Sequence, residues 1–465
     1  MYPDRSGRSL KVLVVVLAVA LVAAVAMLLQ TRSRLARVTS DAATSTPAAA
    51  GEAAPTEASA PTTAAAGPEE SGDGSGDAPA PAPVAAIAVA DAGATFPPGG
   101  AGADPPPSEG FLAAGQPGVD YTSAYVVDRG SGRVLYAYNA HVPVPTASMA
   151  KMMTCLLAME EIEAGRLSLD DSVTISARAA GMGGSQIYAA QGQVFSVQTL
   201  LAATMVQSAN DAATALAEKI AGSNEAFAER MNRRARELGL EGSTFYDPHG
   251  LPNPGSENVM TARDLAVVGN ELLRYPLMRE YAATPTLPFE NGTFTAGMTN
   301  PNFLLREYDG AYGIKTGYTA SAGFSVTAAA RRGDTDVIAV VTGARSSRGP
   351  QSSFALAGRL MDEVFLSWST VVPLREGESA GEVPVRRGSP STVAAVAARD
   401  LAALVPRSGA EVVWTLDPMD LEAPVARGDT VGVIVARQGE AELVRVPALA
   451  AVDVGRRPWW RFWGD

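Results

Sequence analysis

Histidine and cysteine are nearly absent from this chain of 465 residues, which has two histidines and one cysteine. The single cysteine, Cys155, excludes an intramolecular disulfide and argues against a cysteine-based metal site. Neither His141 nor His249 lies in a recognisable Ser-His-Asp context, and no G-x-S-x-G elbow surrounds Ser148. The sequence therefore predicts no metal and no cofactor, and its catalysis, if any, is expected to proceed without histidine.

Lysine is also scarce, although positive charge is not. Of the 37 lysine and arginine residues only four are lysines, namely Lys11, Lys151, Lys219 and Lys315. An arginine side chain stays protonated in proteins, whereas a lysine amine loses its proton when it is buried or placed beside another cation. The retention of lysine at positions 151 and 315 therefore suggests that an amine, and not merely a charge, is needed there.

Basic residues are missing from one long segment. No lysine or arginine occurs between Ser40 and Gly118, while ten acidic residues lie between Asp41 and Glu109 and account for most of the net charge of −12. The segment 39–118 is rich in Ala, Pro and Gly and is predicted to be a disordered linker, because it cannot bury enough apolar surface to offset its ordering entropy. The charge distribution gives no support to nucleic-acid binding.

A long hydrophobic run occurs once, at the N-terminus. Val12–Leu29 is a stretch of 18 consecutive apolar residues with basic residues on both sides. Such a run fits either a retained membrane anchor or a signal peptide cleaved near Ala24-Val25-Ala26. Residues 1–38 are therefore predicted to be a membrane anchor or signal segment, with a retained anchor favoured, and the remainder of the chain is expected to be exported.

The central part of the chain alternates between strand and helix patterns. Predicted strands are Ser123–Asp128, Arg133–Tyr138, Gly313–Tyr318, Phe324–Ala330 and Val337–Thr342. Predicted helices are Ser148–Ala164, a run from Ser196 to Ile220 that is interrupted at Gln207–Asp211, Asn224–Leu238, Thr261–Leu273 and Gln351–Phe365. Strands at both ends with helices between them predict an α/β domain over 119–370, in which an antiparallel sheet is backed by an inserted helical block.

The C-terminal part has a different residue pattern. Short apolar runs separated by glycine turns predict a small β-rich domain over 371–454. Within it, the alanine-rich stretch Val393–Leu404 is ambiguous between helix and strand. The tail 455–465 combines three tryptophans with three arginines beyond residue 455 and is either a membrane-interface segment or an ordinary exposed tail.

Ser148 and Lys151 form the first candidate catalytic pair. Proline disfavours helix in the residue before it, so the helix is expected to begin after Pro145, with Ser148 in its first turn. Lys151 follows three residues later, on the same helical face, where its amine can reach the serine hydroxyl. A serine needs an adjacent base to act as a nucleophile, and Lys151 can be that base if desolvation and the second cation Lys315 lower the pKa of its amine.

Two later motifs form a set with Ser148 and Lys151, and only the complete set points to one kind of protein. Ser208-Ala209-Asn210 and Lys315-Thr316-Gly317 are each common by chance, but in this order they match the S-x-x-K, S-D-N and K-T-G signature of penicillin-binding proteins and class A β-lactamases. Ser208 can relay a proton to the leaving amine, and Asn210 can hold Lys151 and the substrate amide.

The third motif is expected to bind the substrate. Lys315 and Thr316 can bind a substrate carboxylate, and Gly317 would leave room for the substrate to run alongside the strand. The oxyanion hole is predicted to consist of the backbone N–H groups of Ser148 and Tyr318.

Residues 119–370 resemble the serine D-alanyl-D-alanine carboxypeptidases, the low-molecular-mass penicillin-binding proteins of a peptidase family S11-like type. Beyond the three motifs, the resemblance extends to the stretches 207–213, 245–251, 261–266 and 313–319. Residues 371–454 are similar, less specifically, to the β-rich domain that follows the catalytic domain in some members, in which Val393–Leu404 would be partly strand. The resemblance implies a β-lactamase/penicillin-binding-protein-like transpeptidase fold (antiparallel sheet plus helical subdomain) followed by a small all-β domain.

The same resemblance implies a function. The substrate would be the peptidoglycan stem peptide, whose terminal D-alanine is removed through an acyl-Ser148 intermediate, and β-lactam antibiotics would be inhibitors. The protein would lie on the extracytoplasmic face of the bacterial cytoplasmic membrane. Ala150, where threonine is commoner, and Ala209, where glycine is frequent, depart from the family pattern without removing a functional group.

Three alternative functions remain open from the sequence. A class A β-lactamase would need a deacylating glutamate in a Glu-x-x-Leu-Asn context, and the nearest pattern, Glu229 before Asn232, lacks the leucine. A D,D-endopeptidase or weak transpeptidase would use the same chemistry on a different peptide. A catalytically inactive wall protein would use the pocket only to hold stem peptides.

Overall fold

The computed structural model describes residues 120–253, 255–290, 295–345 and 349–457. The predicted anchor, the predicted linker and most of the Trp/Arg tail lie outside these residues, so the interpretations of those segments stay predictions. Among the helices that the structure describes, none is long and apolar enough to cross a membrane.

The N-terminal part of the described chain contains the central sheet and three short strand pairs. Its strands are β1 (Ser123–Asp128), β2 (Val134–Tyr138), β3 (Val144–Pro145), β4 (Ser172–Thr174), β5 (Val194–Ser196), β6 (Val259–Met260), β7 (Thr286–Glu290), β8 (Thr295–Thr299), β9 (Ala311–Thr319), β10 (Gly323–Arg332) and β11 (Thr335–Ala344). Its helices are α1 (Lys151–Glu163), α2 (Ala177–Ala180), α3 (Val197–Ala202), α4 (Asn210–Ala221), α5 (Asn224–Glu237), α6 (Ala262–Leu272), α7 (Pro276–Ala283), α8 (Leu304–Glu307) and α9 (Gln351–Ser367).

The central sheet has five antiparallel strands in the order β2-β1-β11-β10-β9. Every residue of β11 is buried, because one hydrophobic cluster packs on each face of the sheet. The larger cluster joins the sheet to the helical block, and the smaller one joins it to α9. β9 lies at the edge of this sheet, and its contacts with the turn before α1 bring the third sequence motif to the first.

The predicted interruption near Gln207 has a definite backbone form. α3 continues into a π-helical turn, Ala203–Gln207, which ends at Ser208 in the left-handed conformation with a φ of 61°. α4 then begins at Asn210. A π-turn followed by a left-handed residue redirects the chain within one turn of helix, so Ser208 and Asn210 project from a bend and not from a continuous helix face.

The C-terminal part is built from strands. They are β12 (Trp368–Val371), β13 (Ser379–Arg386), β14 (Gly388–Ser389), β15 (Thr392–Ala397), β16 (Ala403–Pro406), β17 (Val412–Pro418), β18 (Leu421–Glu422), β19 (Thr430–Gln438), β20 (Ala441–Ala450) and β21 (Gly455–Arg456). Six of them form a sheet in the order β17-β19-β20-β15-β13-β18 around a separate hydrophobic cluster. β15 alternates half-buried and buried residues, so the ambiguous stretch Val393–Leu404 is mostly strand, as the family resemblance implied.

Several elements were not predicted, among them β3, β4, α2, β5 and β6, and the longest region without a predicted element begins at Tyr275. Between Tyr275 and Glu307 the structure contains α7, the β7–β8 hairpin and α8, for which the sequence analysis gave no element. Asn291-Gly292, a frequent hairpin turn dipeptide, stands between β7 and β8 and could have indicated the hairpin. The predicted fold class, a penicillin-binding-protein-like domain followed by an all-β domain, is confirmed by the comparisons given below.

Candidate active site

Ser148 lies in a short 3₁₀ turn, Ala147–Ala150, immediately before α1. Ala147, the residue before it, has a φ of 46°, in the left-handed region that alanine rarely adopts. Backbone strain of this kind persists where the surrounding structure enforces it and is common at functional sites. Lys151, the first residue of α1, is fully buried, and its Nζ is 2.9 Å from Ser148 Oγ. The structure therefore brings together the pair that the helical spacing predicted.

The Lys151 amine has a second partner that the sequence analysis did not identify. Lys151 Nζ donates to the backbone carbonyl of His249 at 2.9 Å. This carbonyl belongs to a tight turn over residues 247–250, which we call the Asp247 turn. Gly250 in this turn has a φ of +81°, and a Cβ placed on it would lie only 1.9 Å from the carbonyl oxygen of Ala147. The Asp247 turn thus packs directly against the backbone that carries Ser148.

Within the part of the chain that the structure describes, Asn210 makes no hydrogen bond to Lys151, contrary to the prediction. Its Nδ2 donates to the Gly183 carbonyl at 2.6 Å, and its Oδ1 is buried without a protein partner. The second hydrogen-bond partner of the lysine amine is instead the His249 carbonyl, which the Asp247 turn supplies. The Asn210 side chain is therefore held by the loop that contains Gly183 and keeps an acceptor atom unused.

Asp211 fixes the loop that borders the cavity. Its carboxylate accepts hydrogen bonds from the backbone N–H groups of Ile187 at 3.1 Å and Ala189 at 3.2 Å. Ser185, two residues before Ile187, is one of the residues that line the cavity beside Ser148. Asp211 was noted in the sequence only as part of a family stretch, and its positioning contacts depend on a loop more than 20 residues away.

Edge strand β9 supplies the third motif. Lys315 is 2 % exposed, whereas Thr316 is half-buried and Tyr318 is largely exposed. A Cβ on Gly317 would lie 2.7 Å from the carbonyl oxygen of Thr146 and 3.2 Å from the Cβ of Ala147. Glycine at 317 is therefore required by the close approach of β9 to the Ser148 turn, which is a different reason from the predicted space for substrate.

A cavity of about 290 Å³ opens beside Ser148. Five of the predicted site residues line it, namely Ser148, Ser208, Thr316, Gly317 and Tyr318. Its lining also includes the apolar side chains of Phe303 and Phe354, whose ring centroids are 5.9 Å apart. Lys151, Asn210 and Lys315 are not among the lining residues. They are buried, so the two lysines would act on a bound molecule mainly through charge and through the groups that they position, whereas Asn210 keeps its Oδ1 as an unused acceptor.

Two buried lysines shape the electrostatics of the site. Burial and the nearby charge of Lys315 lower the pKa of Lys151 well below the ordinary lysine value. Burial lowers the pKa of Lys315 only to about 8. The Lys151 amine is therefore shifted towards its neutral form, while Lys315, with a pKa of about 8, is mostly protonated at neutral pH. This asymmetry is what a base and an anion-stabilising cation in one site require.

The structure also bears on the β-lactamase alternative. Glu229, the nearest candidate for a deacylating glutamate, is exposed on α5, and the Asn232 side chain is engaged with the backbone of Phe245. Neither residue lines the cavity beside Ser148. The pattern that came closest to a lactamase motif thus belongs to an ordinary helix surface.

Comparison with known proteins gives a consistent result. The D-alanyl-D-alanine carboxypeptidase family model matches residues 111–346, and the model of the penicillin-binding protein 5 C-terminal domain matches residues 368–456. The chain is 32% identical over 336 residues to the D-alanyl-D-alanine carboxypeptidase DacF of Bacillus subtilis, which covers 71% of this chain and 85% of that protein. It is 33% identical over 230 residues to a D-alanyl-D-alanine endopeptidase of Pseudomonas aeruginosa, covering 48% of this chain and 70% of that protein.

A solved structure supports the same relationship. The peptidoglycan synthesis regulatory factor (PBP3) from Streptococcus pneumoniae has a TM-score of 0.64 and 28% sequence identity, with 72% of this chain and 99% of that chain covered. This coverage exceeds the share of the chain that lies in residues 119–370, so the match extends beyond that segment. On the combined sequence and structural similarity, this chain belongs to the D-alanyl-D-alanine carboxypeptidase family of serine peptidases.

Proposed function

We propose that the protein is a penicillin-sensitive serine-type D-alanyl-D-alanine carboxypeptidase that removes the terminal D-alanine from peptidoglycan stem peptides. The observation that carries the proposal is the 2.9 Å separation of Lys151 Nζ and Ser148 Oγ, with the amine fully buried and its pKa lowered. A neutral amine at this distance can accept the serine proton. Family membership supplies the substrate class.

The reaction would proceed in two steps. Lys151 takes the proton of the Ser148 hydroxyl while Oγ attacks the carbonyl carbon of the penultimate D-alanine, and the oxyanion is held by the N–H groups of Ser148 and Tyr318. Ser208 passes a proton to the nitrogen of the leaving D-alanine as the C–N bond breaks and is reprotonated by Lys151. The peptide is then esterified to Ser148, and the Lys151 amine is neutral again. A water molecule then hydrolyses the ester with Lys151 again as the base.

The substrate contacts follow from the positions of the remaining groups. The unused Asn210 Oδ1 can accept an N–H of the bound peptide. The Thr316 hydroxyl, with the positive charge of Lys315 behind it, suits the terminal carboxylate. A β-lactam presents an amide and a carboxylate in the same relationship, so it would acylate Ser148.

Labelling with a fluorescent penicillin tests the acyl-enzyme directly. The wild-type protein is expected to become covalently labelled, and Ser148→Ala is expected to remain unlabelled. Ser223→Ala is a matched control, because Ser223 caps α5 by accepting from the Ala226 N–H and does not line the cavity beside Ser148. Absence of label on the wild-type protein would show that the proposed acyl-serine chemistry is wrong.

Carboxypeptidase and endopeptidase activities are separated by their products. Release of free D-alanine from a pentapeptide ending in D-Ala-D-Ala is expected, and cleavage of a cross-linked stem-peptide dimer is the endopeptidase alternative. The carboxypeptidase is favoured because the similarity to DacF extends over 71% of the chain, whereas that to the endopeptidase extends over 48%. Labelled protein that cleaves only the dimer would reverse this assignment.

For the cellular location, our proposal is the extracytoplasmic face of the bacterial cytoplasmic membrane, with Val12–Leu29 as a retained anchor. The support is the length of the apolar run, which is sufficient to span a bilayer. The full chain is expected to stay in the membrane pellet after alkaline washing, while a chain starting at residue 39 is expected to be released. Recovery of the full-length protein in the wash would contradict a retained anchor.

A further inference from the structure

Asp247 is a buried carboxylate that the two-step mechanism does not use. It is 4 % exposed, and its Oδ1 accepts hydrogen bonds from the backbone N–H groups of His249 at 2.9 Å and Gly250 at 2.5 Å. The Asn258 side chain also donates to this oxygen at 3.3 Å. These contacts close the Asp247 turn and set the direction of its His249 carbonyl, which accepts from Lys151.

The same turn is attached to the catalytic helix. The Thr154 hydroxyl, one turn along α1 from Lys151, donates to the carbonyl of Pro248 at 2.6 Å. Gly250 touches the Ala147 carbonyl on the other side. The turn is therefore held on α1 and against the Ser148 turn at once, and Asp247 is the side chain that fixes its internal geometry.

The orientation of the Lys151 amine depends on this carbonyl. A neutral amine has two N–H bonds and one lone pair, and only the lone pair can take a proton from Ser148. When the His249 carbonyl accepts one N–H, the lone pair can be directed at the serine hydroxyl. Without that acceptor the amine can rotate and donate to Ser148 Oγ instead, which is the wrong direction for activating the nucleophile.

We propose that Asp247 is a positioning residue for acylation, which holds the His249 carbonyl so that the Lys151 lone pair faces Ser148, and whose negative charge acts on the same amine. The proposal rests on the role of Lys151 as base in the proposed function. Asp247 itself touches neither the substrate nor the reacting atoms in this scheme.

The charge of Asp247 is one of several that surround the amine. The titratable groups that face Lys151 are Lys315 on β9, Asp247 and His249 in the turn, Cys155 on α1 and Asp211 on α4. Burial lowers the pKa of His249 to about 4 and raises the pKa of Cys155 to about 12, so both are neutral near pH 7. The charge of Asp247 raises the pKa of Lys151 and opposes the effect of Lys315.

Two substitutions at Asp247 separate the effect of the turn's geometry from the effect of its negative charge. The measurement is the second-order rate constant for acylation by a fluorescent penicillin, as a function of pH. Asp247→Asn keeps an oxygen acceptor for the turn and removes the charge, so the maximal rate is expected to stay near wild type while the acidic limb moves about one unit to lower pH. Asp247→Ala removes the acceptor, and the maximal rate is expected to fall about 10- to 100-fold.

A matched control separates positioning from general stability. Asp128 is also buried, and it accepts the Ser131 N–H at 2.7 Å in the β1–β2 turn. Asp128→Ala is expected to lower the melting temperature without changing the maximal acylation rate or the position of the acidic limb. If it changes acylation as Asp247→Ala does, the effect at 247 is general destabilisation and the proposal is wrong.

A second variant tests the same turn if Asp247→Ala does not fold. If Asp247→Ala cannot be purified in folded form, Thr154→Val replaces it, because that change removes the other anchor of the turn without altering charge. A lower maximal rate with an unshifted acidic limb is expected for it. An unshifted limb in Asp247→Asn, or a wild-type maximal rate in Asp247→Ala or its replacement, would overturn the proposal. A wild-type enzyme that is not acylated would instead refute the proposed function.

Discussion

The contact between Gly250 and the nucleophile turn gives a prediction with a calculable size. Alanine at 250 would have a φ of +81°, which costs about 1–2 kcal/mol for a residue with a Cβ. Its Cβ would start 1.9 Å from the Ala147 oxygen, so the two backbones would have to separate by roughly 1 Å before the contact becomes tolerable. Overpacking of this kind costs about 1–3 kcal/mol more.

Gly250→Ala is therefore expected to lower the free energy of unfolding by about 2–5 kcal/mol. Because the displaced group is the carbonyl next to Ser148, the acylation rate should fall by about 100-fold, the usual effect of a 1 Å misplacement at a reacting centre. Urea denaturation followed by tryptophan fluorescence measures the first quantity. The rate of fluorescent-penicillin labelling measures the second.

Gly222→Ala is the matched control. Gly222 has almost the same φ, +82°, at the end of α4, but a Cβ there would meet nothing within 4 Å. It is expected to lose only about 1–2 kcal/mol and to acylate at the wild-type rate. Equal losses of stability in the two variants, with normal acylation in both, would mean that the close approach of the Asp247 turn to Ala147 does not constrain the nucleophile.

Three further predictions concern other parts of the site and the core. The acylation rate should decline as pH falls through the lowered pKa of Lys151, because only the neutral amine is a base. The KM for a peptide that ends in a carboxylate should rise above about pH 8, where Lys315 loses its proton. Steady-state kinetics measured as a function of pH would show both limbs. Asp211→Ala should lower the free energy of unfolding by about 1–3 kcal/mol, because the N–H of Ile187 loses its acceptor. The same substitution should raise the KM for the peptide, and an unchanged KM would show that the loop does not affect substrate binding. Phe227→Ala empties a fully buried position and should cost about 3–5 kcal/mol in urea denaturation with the acylation rate unchanged.

The local part of the site could be predicted from the sequence because it depends on helical spacing. Ser148 and Lys151 are three residues apart, and the contact between their side chains needs no information from the rest of the chain. The scarcity of lysine strengthened the same prediction, since the two lysines singled out are the ones that the structure buries. Motif chemistry and local geometry pointed to one pair.

The non-local part could not be predicted in the same way. The contact between Lys151 and the carbonyl of His249 joins residues 98 positions apart, and the acceptor is a backbone atom that any residue would provide. Side-chain chemistry therefore gives no sign of it, and Asn210, the nearest polar residue in the motif, was given its place. The order of the central sheet is similarly hidden, because β1 pairs with β11 across an interval of 219 residues between Ser123 and Thr342.

One secondary-structure assignment stayed ambiguous for a physical reason. Val393–Leu404 is alanine-rich, and alanine favours helix by local propensity, yet β15 is held by pairing with β13 and β20 on its two sides. Tertiary pairing overrides local propensity when both edges of a strand are used. Only the family resemblance, which encodes that pairing indirectly, indicated a strand.

Burial explains why lysine is suited to position 151 in a chain that mostly uses arginine. Lys151 and Lys315 are 0 % and 2 % exposed, and within the described residues neither has a carboxylate at ion-pair distance. At position 151 a permanently charged guanidinium would retain a desolvation penalty of several kcal/mol, which a lysine lessens because its amine can release its proton. Lys315, whose pKa burial lowers only to about 8, stays mostly protonated at neutral pH and acts as a cation. Lys219, by contrast, lies near the surface, 3.8 Å from Asp171, and needs only its charge.

Arginine substitutions at 151 and 219 therefore form a matched pair. Lys219→Arg keeps the charge beside Asp171 and should leave both melting temperature and penicillin labelling unchanged. Lys151→Arg should lower the melting temperature, since a permanent charge replaces a fully buried amine whose pKa burial lowers, and should abolish labelling because a guanidinium cannot take the serine proton. Labelling retained in Lys151→Arg would remove Lys151 from the role of base and leave Ser208 or Lys315 to supply it.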